Sequence, residues 1–410
     1  MTTTEMPHGM GAQLARPAEL VCFAMVVANV VYLAASYLQG SWLVAPDGRA
    51  IATDFVTIWG AGKMALAGHA AAAYDWPTLK LVDEHAIGQA FSGYLGWPYP
   101  PAFFFVAALL ALLPYVSAFV VWVFTSFLVY LAAIRAIVGE RVGYWLAAAF
   151  PAVLANFIVG QNGFLSAGLI GGALTLLQRQ PICAGVLLGL LTYKPHLGIL
   201  FPIALVAGGH WRTLTTAAIV AALLAAASWA AFGGATWQAF FDGIGHAAHS
   251  DAFADWGKLQ TAFGLVRALG GSEPLAWIVQ IVVALLAASA IAVLWRSRAA
   301  YEIKAAGLGT AALLATPHLL TYDLVVLAVP LAFLFRLGRV QGFLAHEATG
   351  IGLACLLILL FPFVTAPVGF GAVVVVAALI VRRALVSRSV GGEFHSGPAQ
   401  RAPGMAIIPR

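Results

Sequence analysis

Asp54 stands in front of a helix-compatible run, Phe55 to Leu66, in a polar stretch of a mostly apolar chain. A carboxylate at such a boundary can take a proton from an attacking hydroxyl, and it can equally serve as a plain N-cap. Lys194-Pro195-His196 falls between two short apolar runs. An ionisable residue there is a functional candidate, although a lysine can also snorkel to the surface. Pro195 breaks the helix and frees carbonyl groups, which His196 can bond or a ligand can use. Gln161 and Asn162 follow Gly160 at a helix end, where capping alone would account for Asn162. His318 and Asp323 flank Tyr322 at another turn, as a surface pair or as part of a site. His246 and His249, with Asp251 and Asp255, have a spacing that can bind a metal. They lie in a loop with no fixed helix, so a solvated loop is the default and no metal is assigned.

Composition determines the elements that must position these residues. Of 410 residues, 62% are apolar and 9% charged, against roughly 45–50% and 25% in soluble domains. That excludes an ordinary soluble protein, a disordered chain, collagen and a nucleic-acid-binding module, and it makes the lipid bilayer a partner. The net charge of +5 fits basic cytoplasmic loops. Cys22, Cys183 and Cys355 match no metal or redox spacing and read as small buried apolar residues. The first apolar run is too long for the core of a cleavable leader and lacks a cleavage site. Thirteen apolar segments can be marked: 20–39, 101–113, 116–136, 143–159, 163–178, 181–193, 196–208, 213–232, 274–295, 305–317, 323–336, 348–365 and 368–381. In lipid each must be helical, because backbone groups find no other partners there.

Charge sorts the connections. The polar stretches 41–100 and 233–273 hold nine of the sixteen carboxylates, among them Asp47, Asp54, Asp75, Asp83 and Asp242. Arg135, Arg141, Arg179, Arg212, Arg296, Arg336 and Arg382 mark short turns and the tail. The positive-inside rule places those turns in the cytoplasm and both acidic loops on the outer, periplasmic side. That assignment needs an even number of crossings, so one segment does not cross. Segment 101–113 fits best: it makes roughly 20 Å of helix against a hydrocarbon core of ~30 Å, and prolines bound it at 100, 101 and 114. It is expected to dip in and return, or to pack as a kinked forerunner of 116–136. The short pair 181–193 and 196–208 places Lys194 at the floor of an outward cavity. In the first loop, Phe55–Leu66 suits a helix lying in the interface. A second run, Thr78 to Phe91, carries Lys80, Asp83, Glu84 and His85 on a wet face, with Tyr74-Asp75 positioning its start. Trp76, Trp97 and Tyr99 resemble an interfacial aromatic belt. Gly168 to Gly172 and Gly185 to Gly189 allow close helix contact.

The order of motifs carries a resemblance. Asp54-Phe55 is followed by Trp59-Gly60-Ala61-Gly62-Lys63, Leu66-Ala67-Gly68, Tyr74-Asp75 and Trp97-Pro98-Tyr99-Pro100-Pro101. Then come Leu112-Leu113-Pro114, Gly160-Gln161-Asn162, Ala184-Gly185, Lys194-Pro195-His196, Trp211-Arg212, Thr316-Pro317-His318 and Tyr322-Asp323. Over roughly residues 20–340 the chain resembles the polyprenol-phosphate-mannose-dependent alpha-mannosyltransferases, a family of the GT-C membrane glycosyltransferases. Many members have a tyrosine-rich stretch where this chain has Thr57-Ile58-Trp59.

The resemblance implies an all-α, GT-C-like bundle of about twelve transmembrane helices with a helical first periplasmic loop. It implies transfer of a hexose, expected to be mannose, from a polyprenyl-phosphate donor to a hydroxyl of a glycolipid or glycan acceptor, with inversion. Asp54 matches the family's base. The leaving phosphate needs cations or amide donors, and Lys194, His196, Gln161, Asn162, His318, Asp323 and Tyr99 are assigned to the donor phosphate and substrate. Trp59 and Trp97 are candidates for stacking on sugar. No cofactor is implied. The expected organisation is a cytoplasmic tail at 1–19, a transmembrane transferase domain at 20–388 and a disordered cytoplasmic tail at 389–410, in the inner membrane. Two other readings compete: a lipid or solute transporter or flippase, motivated by the same broken helices, and a structural subunit of an envelope-assembly complex. No repeat relates the two halves of the sequence, which counts against the transporter.

Overall fold

The computed structural model describes residues 10–91, 96–247, 256–364 and 366–393. Among the described residues nearly everything regular is helical, and extended pairing is confined to one isolated bridge between Val44 and Ala50. The chain runs through α1 (Met10–Leu38), the loop helices α2 (Phe55–Leu66) and α3 (Trp76–Ile87), the short α4 (Phe104–Ala111) and the long α5 (Tyr115–Val138). Next come α6 (Val142–Ala148) and α7 (Val153–Val159), bent by 56° at their junction, and then α8 (Gly163–Leu176). The segment with the lysine break forms α9 (Pro181–Leu190), α10 (Pro195–Gly198) and α11 (Phe201–Ala207). The remainder is α12 (Trp211–Phe232), α13 (Gly234–Ala247), α14 (Ala262–Ala268), α15 (Glu273–Arg296), α16 (Tyr301–Ala315), α17 (Ala328–Gln341), α18 (Glu347–Leu360) and α19 (Val368–Glu393).

This is an all-α polytopic membrane protein. Among the described residues α1, α5, α12, α15 and α19 contain runs long and apolar enough to cross a bilayer alone, and the bent α6–α7 pair is a sixth candidate. The expectation of about twelve crossings therefore does not translate into twelve long helices. The other apolar segments are shorter, and breaks divide some of them. Pro195 stands in the expected break before α10, and Pro202, near the start of α11, further interrupts the run 196–208. Close helix contact follows the small residues, as expected. Gly185 and Gly189 of α9 lie against Thr216 and Val220 of α12, and Gly168 of α8 lies against Val129 of α5.

The first loop departs most from its sequence reading. The boundaries of α2 match the expected run, but the helix does not lie in an interface. All its residues from Phe55 to Gly62, and Met64, are buried. Gly60 and Gly62 are the reason: a methyl group at Gly60 would strike the Asp83 carboxylate, and one at Gly62 the Ala107 carbonyl. Helices α3 and α4 can therefore close on α2 from two sides. Asp83 correspondingly leaves the wet face of α3, where Lys80, Glu84 and the exposed His85 remain, with Lys80 and Glu84 paired at 3.7 Å. Trp97 and Tyr99 form no belt. They are buried, and Trp97 stacks on Phe103 and Phe104 with ring centres 5.8 and 4.9 Å apart. Segment 101–113 is a 3-10 turn followed by the eight residues of α4, about 12 Å of helix. That is too short to cross, and it packs beside α2.

Candidate active site

Asp54 occupies the N-cap position of α2 with φ −57° and ψ −21°, yet its side chain makes no capping hydrogen bond. The N-cap reading thus leaves the carboxylate unexplained. Its backbone is held instead. Tyr115 Oη lies 3.1 Å from Thr53 Oγ1, and Thr57 Oγ1 donates to the Asp54 carbonyl at 3.1 Å. Opposite stands a shelf formed by residues 158–162. Trp42 Nε1 donates to the Ile158 carbonyl and Trp122 Nε1 to the Gly160 carbonyl, both at 3.0 Å. Gly160 has φ +69°, and a Cβ there would collide with the Phe119 ring and crowd Phe55. Glycine therefore supplies both the left-handed turn and the close approach of the shelf to α2. Burial pushes the half-buried Asp54 carboxyl up to about 6, while the Gln161 amide and the Lys258 ammonium hold it from rising further. The Tyr99 hydroxyl donates to Oε1 of Gln161 at 2.9 Å.

Lys194 lies at the break before α10 and is buried rather than snorkelling. Its Nζ donates to Asp323 Oδ1 at 2.5 Å and sits 5.4 Å from the centre of the Tyr322 ring. Asp323 is fixed from its other side by the Leu320 amide, which donates to Oδ2 at 3.3 Å. His196 and His318 both lie within electrostatic reach of this pair, and His318 is the exposed member. The Asn156 amide ties the two halves together by donating to the Tyr322 carbonyl at 2.8 Å. The charges of Asp54 and Asp323 both reach Tyr99 and Tyr322, so the Asp54 carboxylate and the ion pair share one site.

Asn162 sits beside them with its carboxamide fully buried and without a well-formed hydrogen bond, the Tyr99 hydroxyl being its polar neighbour. It makes no side-chain cap for α8. A buried amide left unpaired is costly unless a ligand completes it. Its backbone carbonyl accepts from Tyr193 Oη and Ser166 Oγ, each at 3.2 Å.

The structure thus brings Asp54, Tyr99, Gln161, Asn162, Lys194, His196, His318 and Asp323 to one end of the bundle, opposite the ends marked by Arg135, Arg179, Arg212 and Arg296. Asp75 stays out and has a local task, accepting from the Thr78 amide at 3.1 Å as the N-cap of α3. Trp59 is spent on packing: its Nε1 donates to the Leu113 carbonyl at 2.9 Å and its ring meets Tyr115 edge-on. Neither Trp59 nor Trp97 presents a face for stacking on sugar. Among the described residues no three metal-ligating side chains converge. His249, Asp251, Asp255 and the side chain of His246 lie outside the described residues. Sequence reading missed Lys258, Tyr193, Tyr322 and Asn156. Lys258 carried a signal, as the one lysine in the second acidic loop.

A multi-pass helical membrane protein with a carboxylate, a buried ion pair and the buried Asn162 amide gathered at one end has the constitution of a membrane group-transfer enzyme. Residues 97–317 match the model of glycosyltransferase family 87, just over half of the chain, and the protein belongs to that family. It is a membrane glycosyltransferase, which sets the transporter and structural-subunit readings aside. The match includes Tyr99, Gln161, Asn162, Lys194, His196 and Lys258, while Asp54, His318 and Asp323 lie outside it. No curated protein matches the chain.

Proposed function

We propose that the protein moves a hexose, mannose in the first instance, from a polyprenyl-phosphate donor to a hydroxyl of a glycolipid or glycan acceptor. In this reading the acceptor oxygen attacks the anomeric carbon as the bond from that carbon to the phosphate oxygen breaks. Asp54 takes the hydroxyl proton, and polyprenyl phosphate leaves with the bonding electron pair. A single displacement of this kind inverts the anomeric centre. The observation that carries the reading is the Asp54 carboxylate, free of any capping bond and raised to about 6 by burial. That value leaves it mostly ionised at neutral pH and basic enough to accept a proton. Lys194 and the buried Asn162 amide are the groups to meet the donor phosphate and the sugar. The positive-inside rule places this end in the periplasm and the termini in the cytoplasm, with the chain in the inner membrane.

The test is transfer by the purified protein from radiolabelled polyprenyl-phosphate mannose to candidate lipid acceptors, wild type beside Asp54→Asn. The variant should lose about 10²–10⁴-fold in turnover while inserting and melting normally. Wild-type turnover in it would remove Asp54 from the base role. Transfer from a different hexosyl donor alone would overturn the assignment of mannose.

A further inference from the structure

We propose that Tyr99 and Gln161 are positioning residues for the Asp54 carboxylate, the Tyr99 hydroxyl pinning the Gln161 amide so that its NH2 end points at Asp54. The proposal rests on the reading of Asp54 as the base. Sequence position alone assigns both side chains to the substrate. In the structure their polar ends are already used on each other, at 2.9 Å, and both residues are buried, 5% and 8% exposed.

A glutamine amide is nearly symmetric in shape, and only its partners determine which end points where. An ionised carboxylate accepts but cannot donate, so the end facing Asp54 must be NH2. Oε1 then needs a donor, and Tyr99 supplies it. The hydroxyl is itself immobilised. The Tyr99 ring packs against Trp97 and Phe103 with centres 5.0 and 4.8 Å away, and its backbone carbonyl accepts from Tyr74 Oη at 2.8 Å. Gln161 is anchored through Gly160, whose carbonyl takes the Trp122 N–H. With the Tyr99 O–H donating to the Gln161 C=O, a Gln161 N–H turned toward Asp54 continues the same direction and favours the ionised carboxylate. It offsets the desolvation that burial imposes on that form. The other titratable groups facing Asp54 are Lys258 from the second acidic loop, Tyr115 at the start of α5, and Tyr322.

The pH dependence of kcat/KM tests this, measured for wild type, Tyr99→Phe, Gln161→Leu and Asp54→Asn. Losing a hydrogen bond to the ionised form should move the acidic limb upward by on the order of one pH unit in Gln161→Leu. Tyr99→Phe should move it less, and KM for donor and acceptor should hold in both. If Gln161→Leu fails to fold, Tyr99→Phe, which changes one oxygen, decides the question. An unmoved acidic limb with raised KM would make both residues substrate contacts and overturn the proposal, leaving the base reading intact if Asp54→Asn is inactive. Wild-type turnover in Asp54→Asn would sink the base reading and this proposal with it.

Discussion

Two buried ion pairs lie at opposite ends of the molecule, and they differ in what they leave unused. At the arginine-marked end, Arg383 of α19 holds Glu347 of α18 with both side chains at most 5% exposed. Arg383 Nε and Nη2 donate to the two carboxylate oxygens at 2.7 and 2.5 Å, and Nη2 also reaches the Gly342 carbonyl at 2.7 Å. Glu347 takes the Leu344 amide as well, at 2.9 Å. Both Glu347 oxygens and three Arg383 N–H groups are thus engaged. At the other end, Lys194 and Asp323 are as deeply buried, 6% and 5% exposed. Of the three donors on the Lys194 ammonium, only one has a hydrogen-bond acceptor among the described residues, and the buried Asn162 amide lies close by. Burial alone therefore does not separate a structural charge from a functional one. The count of partners offers a criterion: the Arg383–Glu347 pair closes a helix contact, whereas in the function proposed above Lys194 keeps donors free to meet the donor phosphate.

The largest expected effect separates the two in stability. Arg383→Met strands the Glu347 charge in the interior and should cost about 3–5 kcal/mol. It would be read as a lowered melting temperature in detergent, with turnover per folded molecule unchanged. Lys194→Met should do the reverse. Lys194 makes one hydrogen bond where Arg383 makes three, so melting should fall less than in Arg383→Met, while transfer drops on the order of 10²–10³-fold, as when one charge-stabilising donor is removed. A Lys194 variant that melts early but works at the normal rate would place this pair with the structural one.

Sequence reading picks out the residues that gather at the candidate site better than it describes the loop that holds them. Asp54, Lys194 and Asp323 are legible because a charge in an apolar chain needs a reason wherever it stands. The break at Lys194 and the shortness of 101–113 are also local, fixed by prolines and length. What stays hidden is pairing. Lys194 and Asp323 are 129 residues apart, and nothing in either neighbourhood names the other. Helix α2 is misread for a related reason: an apolar helix with two glycines reads alike whether a membrane interface or another helix covers it. Only the approach of Asp83 and Ala107 to those glycines shows which. Tyr99 and Trp97 join the interior because Phe103, Phe104 and Tyr193 give them aromatic neighbours, a tertiary fact that an interfacial-belt pattern does not contain.

Asp83 extends the contrast to a carboxylate with nothing to satisfy it. It is fully buried, neither oxygen has a partner, and burial with the neighbouring Glu84 charge pushes it up to about 8. Unfolded, it would titrate near 4. The folded protein therefore holds a proton that the unfolded chain releases, and the stability this contributes is present below about pH 4 and lost as pH rises to about 8. Asp83→Asn removes the dependence. At pH 8.5 the variant should be more stable than wild type by on the order of a few kcal/mol, because it has no proton to take up on folding. The two should converge as pH falls to about 4. A gap independent of pH would mean that Asp83 is ionised and paired after all.

The smallest effect sharpens the contrast within the first loop, where two aspartates stand at helix starts. Asp75 spends one oxygen on the Thr78 amide at 3.1 Å and the Thr78 hydroxyl at 2.5 Å, whereas Asp54 spends none on its helix. Pro77 lies in the first turn of α3 and supplies no N–H there, so the Thr78 amide is the donor that most needs a cap. Asp75→Ala should then cost 0.5–2 kcal/mol, typically ~1, in stability, with kcat and KM for transfer at wild-type values. Asp75 is exposed and its charge stands at the helix's positive end, so part of this loss is macrodipole interaction and should shrink in high salt. Asp75→Asn keeps an acceptor oxygen and should recover most of the loss in stability. If Asp75→Ala instead lowered turnover without lowering the melting temperature, satisfied partners would not be the property that divides the aspartates of this loop.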